Sequence, residues 1–233
     1  LRGSAAMRYL QHPVEQAEVV LFCIGLGVFL VKLVRWRTER AALGTSILPT
    51  WDGQTVPVSE AGQLLVKLEG LPRRLRSSLL GGRVANVLDF LRSRGSAAEL
   101  DDQLRALADA DAVALENSYS FSRFIAWAIP ILGFLGTVLG ITEAVSGVTP
   151  EKLERELNQV TEGLALAFDT TALALCLTMA LMFLGFVVER AEQNVLDAVD
   201  RYAERELAHR FERTGAEGGQ FVEVVRQNTQ VLL

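Results

Sequence analysis

The stretch from Gly163 to Val188 reads GLALAFDTTALALCLTMALMFLGFVV, and its only charged residue is Asp169. A helix of these 26 residues is about 39 Å long, which exceeds the hydrocarbon core of a bilayer, about 30 Å. The stretch therefore predicts a membrane-spanning helix. A carboxylate inside a span is costly, so Asp169 is a candidate functional group.

Two other apolar stretches are long enough to cross a membrane. The first, residues 17–36, reads AEVVLFCIGLGVFLVKLVRW, and its Lys32 and Trp36 suit a membrane interface. A cleaved signal peptide is the alternative, but the basic residues follow the apolar part and no small-residue cleavage site does. The second is residues 122–148. We therefore expect an all-α membrane protein with transmembrane helices at 17–36, 122–148 and 163–188.

The distribution of basic residues predicts the orientation of these spans. Lys32, Arg35, Arg37 and Arg40 follow the first apolar stretch, which places its C-terminal side in the cytoplasm. The connection 149–162 has no excess of positive charge, which agrees with an outside location. We expect residues 1–16 and 149–162 outside, and 37–121 and the C-terminal helix 189–233 in the cytoplasm.

The polar segments predict long helical extensions of the spans. Pro49, Gly53 and Pro57 indicate loop or irregular structure over 41–60. We expect helices at about 60–80 and 83–94, a capping box at Ser96 and Glu99, and one helix from about Ala97 to beyond Gly140. The third span helix should begin near Pro150, capped by Thr149.

The C-terminal segment predicts an amphipathic helix. Apolar residues recur on one of its faces with charged residues around them, which is typical of a helix that packs on a partner helix. The residues of this face are Val195, Val199, Tyr202, Ala203, Leu207 and Phe211.

Composition excludes several classes of function. The chain has 233 residues and a formal charge of −5, without a basic cluster typical of nucleic-acid binding. Its two cysteines lie in apolar stretches and its two histidines lie far apart, so neither a disulfide framework nor a metal-ligand spacing is present. The sequence contains no P-loop, GxSxG or HExxH motif. We expect no enzymatic activity, no cofactor, no metal and no nucleic-acid partner.

Polar residues within the second and third spans suggest a pore. In an antiparallel hairpin Thr137 and Thr171 lie at similar depth, and Thr178 shares the face of Thr171. We therefore assign these three threonines to a polar pore lining. Asp169 lies about 160° away from Thr171 around the helix, so it faces a helix interface, and Thr170 points between the two directions.

Each of these polar residues also has a structural interpretation. Threonine hydroxyls in spans often bond only to backbone carbonyls of the preceding turn. Asp169 is then a buried packing group, paired or protonated. Gly133, Gly136 and Gly140 form a seam of small residues that predicts close packing on another helix without identifying it. Pro130 predicts a bend in the second span.

The second and third spans resemble the MotA/TolQ/ExbB proton channel family. The similarity is carried by AIPILGFLGTVLGITEAV at 128–145 and EGLALAFDTTALALCLTMALMFL at 162–184. The shared elements are the P-x-L-G-x-L-G-T-V-x-G core and a G-L-x-x-A-x-x-x-T-A run. The three-span arrangement is similar to that of the ExbB/TolQ branch.

This resemblance implies a homopentameric ring in a bacterial inner membrane, around a partner dimer similar to ExbD, TolR or MotB. The single-span partner would carry the proton-accepting aspartate, and proton flow would drive rotation. Thr137 and Thr171 match the pore threonines of the family. The chain departs from the ExbB pattern at Leu166, where that pattern has a glutamate. Asp169 lies one helical turn further on and either substitutes for this glutamate or serves the purpose of a different branch, so an acidic role does not transfer directly.

Three functions are compatible with the sequence. The first is a stator or motor subunit driven by the proton-motive force, with a ZorA-like phage-defence motor subunit with a truncated tail as a variant. The second is an ion channel that conducts without a partner. The third is a structural membrane scaffold built on the amphipathic tail, in which the threonines have no part in activity.

Overall fold

A computed structural model of the chain describes residues 13–49, 51–146 and 153–213. These residues form seven α-helices, joined by a 3₁₀ turn at Val58–Glu60 and followed by a π-helical turn at Glu204–Ala208. The helices are α1 Pro13–Leu43, α2 Ala61–Glu69, α3 Arg73–Arg76, α4 Leu79–Arg94, α5 Leu100–Asn117, α6 Ser120–Ser146 and α7 Leu153–Ala203. The one β-pairing among the described residues is an isolated parallel bridge between Val56 and Phe211.

Three stretches of helix are long and apolar enough to cross a membrane, as the sequence predicts. They are α1, the run Leu100–Ser146 that contains α6, and Val160–Ala208, which contains most of α7. Large apolar side chains such as Phe134, Phe168 and Phe183 are exposed on these helices. This exposure suits contact with lipid or with further membrane helices.

The chain divides into two compact units. The membrane unit consists of the chain up to Leu33 together with Asn117–Arg190, and the helical unit consists of Val34–Glu116 together with the chain from Ala191. α1 and α7 each contribute residues to both units.

The prediction of one helix from Ala97 to beyond Gly140 is wrong. α5 ends at Asn117 and α6 begins at Ser120, with a turn at Ser118 and Tyr119 between them. Asn and Ser compete for backbone hydrogen bonds and weaken a helix. Lys32 holds the turn, because its ammonium donates to Ser118 Oγ at 2.7 Å and lies 3.8 Å from the centre of the Tyr119 ring.

Two smaller predictions also need correction. The helix expected at 60–80 is divided, because α2 ends at Glu69 before Gly70 and α3 follows Pro72, which is typical of a helix stop and restart. Ser96 does not form a capping box with Glu99. Its hydroxyl accepts from Ala98 N at 3.2 Å, a local turn that precedes α5.

The helical unit is built on a core that α7 completes. Most of the face predicted for the C-terminal helix is confirmed: Val199, Ala203 and Leu207 are buried with leucines and valines of α2 and α4. The helix does not extend to Phe211, because the π-helical turn ends at Ala208; Phe211 joins the same core from beyond the helix. Val56 N donates to the Arg210 carbonyl at 2.7 Å, which ties the irregular segment to the end of this helical run. The predicted partner of the amphipathic helix therefore lies within its own chain.

The ends of α4 are defined by side-chain and backbone caps. Ser78 accepts from Gly81 N at 3.1 Å, and Glu39 of α1 accepts from Leu79 N at 2.8 Å. At the C-terminal end Gly95 has φ 66° and donates to the Leu91 carbonyl, a left-handed cap that favours glycine. These contacts fix α4 at both ends within the helical unit.

A buried arginine on α4 connects three helices of this unit. Arg83 is 3% exposed; its Nη2 lies 2.6 Å from Asp111 Oδ2 on α5, and its Nη1 lies 2.7 Å from Asp200 Oδ1 on α7. The aspartate side chains are 34% and 37% exposed. One buried guanidinium therefore pairs with two carboxylates that water still reaches.

Some predictions lie outside the described residues. They concern residues 1–12, the start of the third helix at Thr149 and Pro150, and the C-terminal segment from residue 214 onward. The described part of the third helix begins at Leu153.

We expect Asp111→Asn with Asp200→Asn to destabilise the protein more than Arg83→Met. The double substitution leaves a buried cation without a counter-charge, a loss of about 3–5 kcal/mol, whereas the exposed aspartates left by Arg83→Met are hydrated. Thermal unfolding of the purified chain measures both. Arg92→Met on the same helix is the control, because its ion pair with Asp89 is exposed on both sides and should contribute less than about 1 kcal/mol. Equal effects of all three changes would contradict this account.

Candidate functional site

Within the membrane unit, α6 packs closely on α7 through the predicted glycine seam. Gly133, Gly136 and Gly140 are all buried. A Cβ placed on Gly133 would lie 2.5 Å from Ala174 Cβ, and one on Gly136 would lie 2.8 Å from Thr170 Oγ1. These distances are too short for real side chains, so only glycine permits this approach. The sequence predicts this seam but does not identify the helix on which it packs. In the structure that helix is α7.

The seam continues along both helices. A Cβ on Gly140 would meet Ala167 Cβ at 3.0 Å, and in the reverse direction one on Gly163 would meet Ala144 Cβ at 2.7 Å. Small residues on each helix therefore face small residues on the other. This arrangement brings the two backbones close enough for side chains of one helix to reach carbonyl groups of the other.

The close approach brings the hydroxyls of Thr137 and Thr171 together. Thr171 Oγ1 donates across the interface to the Gly133 carbonyl at 2.9 Å. Thr137 Oγ1 lies 3.0 Å from the Ala167 carbonyl of α7 and 3.1 Å from the Gly133 carbonyl of its own helix. The two hydroxyls also bond directly to each other. We call these two side chains and two carbonyls the threonine cluster.

The threonine cluster can hold its two hydroxyl protons in two arrangements. In one, Thr137 donates to Thr171, which donates to the Gly133 carbonyl. In the other, Thr171 donates to Thr137, which donates to the Ala167 carbonyl. A hydroxyl both donates and accepts, so the direction of the chain can reverse. A hydrogen-bonded chain with two directions has the property that proton transfer requires.

The threonine cluster is only half-buried, since both side chains have intermediate exposure. Thr170, the neighbour of Thr171, is buried and donates to the Ala167 carbonyl at 2.9 Å. It satisfies a backbone group of its own helix, which is the structural role considered for each threonine. Thr137 and Thr171 differ from it because their bonds cross between helices.

Thr178 lies apart from the threonine cluster. It is 8% exposed, and its hydroxyl has no hydrogen-bond partner within the described part of the chain. It lines a cavity between α1, α6 and α7, together with Pro130, which lies inside α6. Asp169 is half-buried on α7.

Sequence reasoning missed buried polar groups in the membrane unit, among them Glu18 and Ser122. Glu18, near the start of α1, is fully buried, and Ser122 of α6 is 3% exposed and lines the same cavity as Thr178. An acid close to the edge of an apolar stretch is easily taken as an interfacial residue, and the burial of Ser122 depends on how α6 packs. Neither carries a distinctive signal in one sequence.

Within residues 13–49, 51–146 and 153–213 no group of three or more acidic, histidine or cysteine side chains is placed to hold a metal ion. Both cysteines, Cys23 and Cys176, are exposed thiols. The polar groups of the threonine cluster are hydroxyls and carbonyls, and a further polar contact between α6 and α7 is the ion pair of Arg123 with Glu189.

We expect Gly136→Leu to disrupt the α6–α7 contact, because its side chain must displace Thr170. Overpacking of this kind costs typically 1–3 kcal/mol, and it also separates the two hydroxyls. The melting temperature of the detergent-solubilised protein should fall by several degrees. Gly27→Leu is the matched control, because a Cβ at Gly27 of α1 has no atom within 4 Å. A melting temperature that falls equally in both variants would contradict close packing at Gly136.

Comparison with known proteins identifies the family of the chain. The family model of the MotA/TolQ/ExbB proton channel family matches residues 76–201, more than half of the 233 residues. A search of curated proteins and a search of solved structures each found no match. The match covers α4 to α7 and includes the glycine seam and the threonine cluster. The chain therefore belongs to the MotA/TolQ/ExbB proton channel family.

Proposed function

We propose that the protein is a stator or motor subunit that couples proton flow down the proton-motive force to mechanical work. The observation that carries this proposal is the hydrogen-bonded pair Thr137–Thr171, held between two membrane helices by the glycine seam. Membership of a proton channel family supports the proton as the transported ion. Thr137 and Thr171 line the proton pathway in this proposal; Thr178, assigned with them from the sequence, lines the separate cavity between α1, α6 and α7 and is left out of the pathway.

The threonine cluster can relay a proton but cannot store one. A hydroxyl remains neutral at physiological pH, so a pathway of hydroxyls needs a titratable group beside it. A carboxylate in a low-dielectric site can take up and release the proton, because burial brings its pKa towards neutral pH. We propose that a partner helix similar to ExbD, TolR or MotB supplies this carboxylate at the level of the threonine cluster.

The proposed assembly is a homopentamer around a dimer of partner helices. The exposed apolar side chains of α6 and α7 provide surface for contacts between subunits and with lipid. The two-fold symmetry of a partner dimer does not match the five-fold symmetry of the ring. Each proton that reaches the carboxylate of one partner helix therefore favours a new orientation of the dimer relative to the ring. Repeated transfer then gives stepwise rotation, which is the proposed mechanical output.

The proposed location is the bacterial inner membrane, with the N-terminus outside. Lys32, Arg35, Arg37 and Arg40 follow the apolar part of α1, which favours a cytoplasmic position for that end. The helical unit would then lie in the cytoplasm. Asp169, away from the Thr171 face, is proposed to act at a helix interface in the ring.

We expect Thr137→Val with Thr171→Val to reduce proton uptake by membrane vesicles from cells of the native host by at least about 100-fold. Valine keeps the shape of threonine but removes the hydroxyl, so the relay is broken at both of its side-chain positions. Thr137→Ser with Thr171→Ser should retain most of the uptake. Uptake is measured with a pH-sensitive dye after energisation.

The matched control is Thr142→Val on α6. Thr142 is exposed, and its hydrogen bond among the described residues goes to the Val138 carbonyl of its own helix, at 2.7 Å, so we expect normal proton uptake from this variant. Unchanged uptake in the double valine variant, with the protein folded and inserted, would overturn the proposal. Rapid proton flux through the chain alone in proteoliposomes would instead favour a channel that needs no partner.

A further inference from the structure

A cavity of about 620 Å³ opens between α1, α6 and α7 in the membrane unit. Phe29 of α1 lies beside Gly185 of α7, where a Cβ would meet the phenylalanine ring at 2.9 Å, and both line the cavity. The cavity begins where the glycine seam ends, since Pro130 and Thr178 are among its lining residues. Its walls are largely aromatic and aliphatic, which is typical of sites for apolar ligands.

Among the described residues, the charged side chains that line the cavity lie at one end of it. Arg123 and Glu189 line this end, and Arg123 Nη2 lies 3.3 Å from Glu189 Oε1. Their side chains are 53% and 33% exposed, so both charges are accessible. Ser122 is next to Arg123 in the chain; its hydroxyl is buried and has no hydrogen-bond partner among the described residues. A ligand with a polar head and an apolar tail fits this distribution.

We propose that this cavity binds one acyl chain of a phospholipid whose headgroup carries both a phosphate and a primary ammonium. The phosphate binds the guanidinium of Arg123, and the ammonium binds the carboxylate of Glu189. Ser122 donates to an ester or phosphate oxygen of the same lipid. The acyl chain occupies the apolar part of the cavity, towards Pro130.

The dimensions of the cavity agree with one leaflet of a bilayer. Thr178 and Glu189 are eleven residues apart on α7, which corresponds to about 16 Å along a helix. Half of the hydrocarbon core of a bilayer is about 15 Å. A chain anchored at the Arg123 end therefore reaches the Thr178 end without leaving its own leaflet. The Thr178 hydroxyl can turn to the carbonyl of the preceding helical turn when the cavity is filled.

The ion pair selects for the headgroup. An anionic lipid offers a phosphate to Arg123, but its negative headgroup also lies next to the Glu189 carboxylate. Repulsion between these like charges disfavours binding. A choline headgroup has no N–H to donate to the carboxylate. A phosphate with a primary ammonium satisfies both side chains, and charge-assisted hydrogen bonds of this kind are among the stronger ones in proteins.

The first experiment measures which lipids stay with the protein. The full chain is reconstituted in vesicles of equal parts phosphatidylethanolamine and phosphatidylglycerol, extracted in mild detergent, and examined by native mass spectrometry. We expect retained phosphatidylethanolamine, reduced about tenfold by Arg123→Gln. Glu189→Gln should shift retention towards phosphatidylglycerol. Equal retention of both lipids, unchanged by either substitution, would overturn the proposal.

A pair of space-filling variants tests the position of the acyl chain. Ala126 lines the cavity, so Ala126→Phe should expel the lipid. Ala128→Phe places the same side chain about 200° around α6, away from the cavity, and should leave lipid retention unchanged. Loss in both variants, or in neither, would contradict binding at this site.

A photo-reactive amino acid at position 126 distinguishes a lipid from a second copy of the chain. Illumination in membranes should give an adduct with the mass of a phospholipid. An adduct with a second chain would show that a neighbouring subunit covers the cavity and would overturn the proposal. Lipid binding in this cavity does not depend on proton transfer. The lipid measurements can therefore overturn this proposal while the proton-uptake measurements support the proposed function, and the reverse.

Discussion

The close approach of α6 and α7 is the constraint on which the candidate site depends. Gly133 and Gly136 leave no room for a Cβ against α7, and this absence of side chains lets hydroxyls reach carbonyls across the interface. Backbone carbonyls inside a helix already accept a hydrogen bond from a backbone N–H of the same helix. A hydroxyl of a neighbouring helix can reach such a carbonyl only when the two helices lie close together. The glycine seam therefore sets the geometry, and the threonines give it polar chemistry.

The two units have different sources of stability. In the helical unit, aliphatic side chains of α2, α4 and α7 form a buried core, and Arg83 connects α4 to α5 and α7 through two carboxylates. In the membrane unit, lipid removes most of the hydrophobic driving force between helices, so small-residue contacts and hydrogen bonds between helices become the main sources of association. α7 takes part in both kinds of packing.

The sequence predicts the spans and the meeting of Thr137 with Thr171, because length, apolar composition and hairpin geometry determine them. It indicates a close contact at Gly133, Gly136 and Gly140 but not the partner helix, since small residues show only that some backbone approaches. The turn at Ser118–Tyr119 is missed because the apolar stripe continues through it. The contacts of Arg83 join residues 28 and 117 positions apart, which no local pattern reveals.

The most direct test of the account is a high-resolution electron cryomicroscopy structure of the full chain extracted together with its natural partners. The account predicts five copies around an axial partner, with Thr137 and Thr171 hydroxyls facing a hydrated passage and a partner carboxylate at their level. A ring interior that is dry and aliphatic, or threonine hydroxyls that face acyl chains, would contradict it.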